Sequence, residues 1–141
     1  MVLGEARHLA VHDDTVARTG TNFHAVVHAQ PPHLTYLSHV PAYQDEDYFN
    51  SRVMRWEPET IVQLPQGIGV LRFMIPGSDT LMAANVESLR THRIDVWGKH
   101  GVMARSDISV TSIQKAGTAT TITTTITAAI AAAAAAPAPA A

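Results

Sequence analysis

Residues 23–40 read FHAVVHAQPPHLTYLSHV, and where this stretch breaks decides what the chain can fold into. Phe23 to Ala29 is short, apolar and β-rich, which suits a buried strand. Pro31 and Pro32 have no N–H to give a strand ladder, so they stop it. Proline is tolerated in the first turn of a helix, so a new helix is expected over PHLTYLSHV. A strand that hands over directly to a helix is the repeating unit of an α/β fold. His28 then falls at a strand end.

Working outward, Leu3, Leu9, Ala10, Val11, Val16 and Ala17 recur loosely at helical spacing, and TGTN (19–22) breaks that pattern. The polar run PAYQDEDYFNSR (41–52) reads as a loop. ETIVQL (59–64) and GVLRFMI (69–75) read as strands, with PQG between them as the turn of a hairpin. PGSDTLMAANVESLRTH (76–92) is the clearest helix: Ser78 or Asp79 serves as N-cap, and Leu81, Met82, Val86 and Leu89 share a face. RIDVW (93–97) returns as a strand and ends in the turn GKHG (98–101).

The chain has 141 residues, enough for one domain with a buried core. A formal charge of -2 and a pI near 6.4 give no basic field for a phosphodiester backbone, so no nucleic-acid partner is expected. There is no cysteine, so a metal must be held by His, Asp, Glu or amide ligands. The N-terminus MVLGEARHLAVHDD lacks a secretory pattern and nothing before residue 110 resembles a membrane span, which makes a cytoplasmic location, away from membranes, the default expectation. Residues 111–141 are almost entirely Thr, Ala, Ile and Pro with no amphipathic period. They are expected to form a disordered tail that adds nothing to the core, following a domain over residues 1–110.

Eight histidines demand sorting. His8 and His12 lie one helical turn apart, but with no carboxylate motif beside them they read as surface or subunit-contact residues. His24, His39 and His92 show no partner pattern. His28 and His100 each end an apolar strand, which is where open α/β folds place their sites. By themselves they allow two readings: a metal pair, or histidines that bond a backbone carbonyl. Glu5, Glu57 and Glu59 are candidate carboxylates for proton transfer, and each is equally at home in solvent.

Three runs carry a resemblance: HAVVHAQPPHLTYLSHV, then ETIVQLPQGIGVLRFMIPGSDTLMAANVES, then DVWGKHGVMARS. In this order and spacing, the PQGIGVL, MIPGSD and WGKHGV motifs resemble the bacterial L-rhamnulose-1-phosphate aldolases of the class II aldolase/adducin family, over roughly residues 4–107. The resemblance implies a three-layer α/β/α fold around a mainly antiparallel sheet, assembled as a homotetramer with sites between subunits. It implies one zinc ion held by three histidines. Two of these fall on His28 and His100, while the third falls on Gln30, so Gln30 or the nearby His33 is expected to complete the set. It also implies Glu5 as general base and Glu59, reaching in from a neighbouring subunit, as the second carboxylate. The implied reaction is zinc-dependent cleavage of L-rhamnulose 1-phosphate, a sugar phosphate, to dihydroxyacetone phosphate and L-lactaldehyde.

The chain departs from the family in several places. Amide oxygen is a weaker zinc ligand than imidazole. Family members carry a long segment before the glutamate matched by Glu5, including the loops that cradle the substrate phosphate. After ARSD the Thr/Ala tail stands where the family continues into a helix, and it reads like a different frame. A domain truncated at its N-terminus is therefore expected. The alternatives are a non-catalytic fragment or adducin-like assembly domain, and a fuculose-phosphate aldolase or sugar-phosphate 4-epimerase sharing His28 and His100.

Overall fold

Pro31 and Pro32 divide strand from helix as expected: β1 spans His24–Ala29 and α2 spans Pro32–Leu37. The structure is a computed structural model that describes residues 5–21, 24–56 and 58–107. Before β1 lies α1 (Glu5–Thr19); after α2 come α3 (Glu46–Val53), α4 (Pro58–Gln63), β2 (Gly69–Leu71), α5 (Asp79–Thr91), β3 (Ile94–Trp97) and β4 (Gly101–Asp107). The predicted tail at 111–141 and Glu57 lie outside the described residues.

The four strands form one mixed sheet in the order β1-β4-β3-β2. β4 is antiparallel to both β1 and β3, and β2 runs parallel to β3. Strand residues alternate between faces, and the two faces bury different cores. Ile94, Val96, Val102 and Ala104 pack against Leu34, Leu37, Phe49, Val53 and Leu64. On the opposite face, Trp97 and Met103 pack against Val11 of α1 and Leu81 and Leu89 of α5. Helices thus cover both faces.

Three sequence-based expectations are corrected. The segment expected as a strand at 59–64 is helix α4. Pro58 occupies its first position, which suits proline, and Ile61 and Val62 are exposed, at 58% and 82%. The buried positions are Thr60 and Leu64, four residues apart, which is helical rather than strand spacing. The predicted hairpin is consequently replaced by the parallel β2–β3 pair, and β2 stops at Leu71, leaving Phe73 and Ile75 exposed. Finally, the predicted loop at 41–52 contains a 3-10 turn (Pro41–Gln44) and α3. Asp45 caps α3 by accepting from the Tyr48 N–H at 2.8 Å, and Phe49 and Val53 bury one face.

The helix read most clearly forms as expected. Ser78 Oγ accepts from the Leu81 N–H at 3.2 Å, and Leu81, Asn85 and Leu89, four residues apart, face inward. Removing this cap with Ser78→Ala is expected to cost about 1 kcal/mol, read as a lower urea midpoint at unchanged m value. An unaltered midpoint would mean that Asp79 and solvent satisfy the helix end. In α1, by contrast, Val11 and Thr15 face the core while Leu9 and Val16 point outward. The helix is held to α5 at the surface by Asp14, which accepts from Arg90 Nη2 at 2.7 Å.

Candidate functional site

The sheet brings one end of β1, β3 and β4 together. His28 lies opposite Met103 in the β1–β4 register, and Trp97 lies opposite Gly101 in the β3–β4 register. The GKHG turn joins β3 to β4 and carries His100. It is pinned at three points: Gly98 N–H donates to Leu71 O at 2.8 Å, Lys99 N–H to Ser38 Oγ at 2.8 Å, and His100 N–H to Trp97 O at 3.0 Å. Lys99 holds a positive φ of 62°, an uncommon conformation for a side-chain-bearing residue. A Cβ at Gly98 would stand 2.7 Å from the Phe73 nitrogen, so only glycine lets this turn approach so closely. Ser38 also donates to Thr35 O at 2.7 Å and so ties the end of α2 to the turn.

These restraints place His28 beside His100. Their ring centroids are 5.1 Å apart and nearly perpendicular, at 81°. Beneath them, Trp97 stacks on His28 at 4.7 Å and meets His100 edge-on at 5.3 Å. His28 Nδ1 lies 2.9 Å from Val102 O. A carbonyl can only accept, so Nδ1 carries the proton and the lone pair resides on Nε2. This bond agrees with the reading of a strand-end histidine tied to backbone, and it is also the outer contact that fixes a metal-ligating imidazole.

Gln30 and His100 line an open hollow of about 440 Å3, together with Pro32, Thr35, Tyr36 and His39 from α2 and its end. Gln30 is itself close to the turn, because a Cβ on Gly101 would stand 3.0 Å from Gln30 Cγ. His33 is exposed on α2 and does not line the hollow. Glu59 is exposed on α4, likewise away from the lining. Glu5 begins α1. Among the described residues, no group of three or more His, Cys, Asp or Glu side chains gathers where a metal ion would sit. Two imidazoles are therefore in place and the remaining neighbour is an amide, a donor set that suits zinc only weakly.

Sequence reasoning missed Trp97, Thr35, Tyr36 and His39 as parts of this region. It also missed that His12 Nδ1 meets His24 Nε2 across α1 and β1, and that His92 Nε2 stands 3.5 Å from Glu46 Oε1. Among the described residues, no helix is long and apolar enough to cross a membrane.

Compared with known proteins, the chain is 30% identical over 97 residues to a rhamnulose-1-phosphate aldolase of Bacteroides thetaiotaomicron, covering 69% of the chain and 36% of the relative. It is 28% identical over 95 residues to the enzyme of that name from Klebsiella pneumoniae, covering 67% of the chain and 34% of the relative. The crystal structure of a sugar-phosphate aldolase from Thermotoga maritima superposes with a TM-score of 0.70 at 26% identity, covering 91% of this chain and 49% of that one. The chain belongs to the class II aldolase family. No protein-family model matches it. This aldolase-family chain spans about a third of the length of the curated relatives it matches. The kinship extends to the sugar-phosphate aldolase fold, an α/β arrangement built on a mixed sheet.

Proposed function

We propose that this chain is the metal-holding portion of a zinc-dependent aldehyde-lyase that cleaves L-rhamnulose 1-phosphate to dihydroxyacetone phosphate and L-lactaldehyde. The domain to which residues 1–110 contribute is a three-layer α/β/α class II aldolase-like unit, working in the cytoplasm as a homotetramer. The observation that carries this reading is the approach of His28 and His100, at 5.1 Å between ring centroids, in a chain related to rhamnulose-1-phosphate aldolases.

His28 and His100 would hold the zinc, with Gln30 or His33 as the weaker third partner. Gln30 has the better position because it shares the hollow with His100. When bound, the metal supplies Lewis acidity to the hydroxyketone end of the substrate. The chain's own part is to fix the imidazoles: Val102 O holds His28 in the tautomer that leaves Nε2 a lone pair. Glu5 is assigned the proton at the dihydroxyacetone phosphate half. Glu59, exposed on its own subunit, is assigned to a neighbour's site, where it handles the proton on the aldehyde oxygen.

A second reading is favoured by the donor set itself: two imidazoles and an amide, on a chain that matches about a third of its relatives' length, also describe a non-catalytic, adducin-like domain of the aldolase fold. Cobalt titration of the metal-stripped chain separates the two. The enzyme reading expects visible d-d bands at one ion per chain, and loss of those bands in His28→Ala with the far-UV circular dichroism retained. A folded chain that takes up no cobalt would leave the aldolase as ancestry alone.

A further inference from the structure

Threonine inside a helix commonly donates its hydroxyl to a carbonyl three or four residues back. Thr35 does not. Its N–H donates to Pro31 O at 3.0 Å and its carbonyl accepts from Ser38 Oγ at 2.7 Å, yet the buried Oγ1 has no hydrogen-bond partner. Buried hydroxyls are ordinarily satisfied, so one without a protein partner calls for an explanation. Thr35 is also part of the wall of the hollow beside His100.

The rest of that wall is chemically mixed. Tyr36, 64% exposed, offers a ring face. Gln30 offers an amide that both donates and accepts, and the exposed His39 offers an imidazole one turn beyond Thr35. Such a wall suits a ligand with apolar C–H faces alternating with hydroxyls, the makeup of a short polyol chain. A purely apolar ligand would make no use of these polar side chains, and a bare anion would find no arginine or lysine among the lining residues.

We propose that this hollow is the seat of the substrate's polyol portion, with Thr35 as the specificity-determining contact. Tyr36 lies along a C–H face of the ligand, and Thr35 Oγ1 exchanges hydrogen bonds with a ligand hydroxyl. Thr35 has two helical χ1 wells open to it, so the hydroxyl can be redirected toward a ligand without moving the helix. This deepens the proposed function and rests on its sugar-phosphate assignment.

Isothermal titration of the full chain with L-rhamnulose 1-phosphate, with and without added zinc, tests it. Thr35→Val keeps the shape and deletes the hydroxyl, so binding is expected to weaken about tenfold, the equivalent of one hydrogen bond. Thr35→Ser is expected to retain it. The free Thr35→Val chain is expected to melt no lower than the parent, since it loses only an orphan. Parental binding that Thr35→Val leaves unchanged overturns the role of the hollow while the aldolase reading stands. A variant that both binds worse and melts lower makes Thr35 a packing residue and overturns the proposal. A folded parent chain that binds no sugar phosphate, with or without zinc, removes the sugar-phosphate assignment and this proposal together.

Discussion

Replacing Trp97 with alanine is expected to cost about 3–5 kcal/mol of folding stability, a large share of the roughly 5–15 kcal/mol that holds an ordinary domain together. The indole is 2% exposed and packs with Val11, Leu81, Leu89 and Met103, so it joins α1 and α5 to the sheet. Its loss leaves a cavity bounded by two helices that cannot both collapse into it. There is also a polar penalty. Trp97 Nε1 donates to Asn85 Oδ1 at 2.9 Å, and Asn85 Nδ2 in turn contacts Met103 Sδ at 3.1 Å. Without the indole, a fully buried amide oxygen is orphaned, at about 1–3 kcal/mol.

Trp97→Phe separates the two contributions, since it keeps most of the ring and removes the donor. It is expected to fall between parent and alanine variant in a urea titration followed by far-UV circular dichroism. Because Trp97 also stacks on His28 at 4.7 Å, both variants should weaken cobalt binding even where the chain remains folded. An alanine variant within about 1 kcal/mol of the parent would show that this core does not depend on the indole.

The elements that were legible in the sequence are those whose local chemistry and burial agree. β1 and α2 were marked by the two prolines, and α5 by Ser78 and the apolar face of Leu81, Met82, Val86 and Leu89, of which Leu81 and Leu89 are buried. The misread elements are those where the two conflict. ETIVQL has strand-forming residues, but it buries only Thr60 and Leu64, four residues apart as on a helix, and leaves Ile61 and Val62 exposed, so helical spacing and the proline at its start prevailed over β propensity. In α3 the polarity of DEDYFNSR hid a usable signal: an N-cap aspartate followed by Phe49 and Val53 one turn apart.

The site divides in the same way. His28 and His100 were visible as strand-end histidines, and the structure brings their rings into contact distance. The hollow beside them was invisible, because Thr35, Tyr36 and His39 become neighbours of His100 only once Ser38 ties α2 to the GKHG turn. That tie is long-range, and no periodicity within either segment encodes it. Asp95 escaped notice for a related reason: RIDVW reads as an ordinary strand, and only the packing of α5 over it reveals a carboxyl sealed from water.

Asp95→Asn is expected to remove a pH dependence from the stability of this fold. Asp95 lies in β3 with 0% exposure, close-packed enough that a Cβ on neighbouring Gly69 would stand 3.2 Å from its own Cβ. Burial drives its carboxyl pKa well above the ordinary carboxylate range. Trp97, Ser88 and the Met103 main chain pull it back only in part, and neither oxygen completes a hydrogen bond of ordinary geometry. The folded chain therefore holds a proton that the unfolded chain releases near pH 4. Where the native state binds more protons, stability falls as pH rises. The contribution of Asp95 is thus fully present below about pH 4 and declines by up to about 1.4 kcal/mol per pH unit until the folded pKa is passed. Asp14 has the opposite sign, because its pairing with Arg90 lowers its pKa, but it lies at the surface and its loss falls at the acid end. Between pH 7 and pH 5 the parent chain should accordingly gain stability relative to Asp95→Asn. At pH 7 the variant should be the more stable of the two, by an amount that shrinks as the pH is lowered. Parallel melting curves for parent and variant across this range would mean that Asp95 is solvated or paired in solution and carries no such burden.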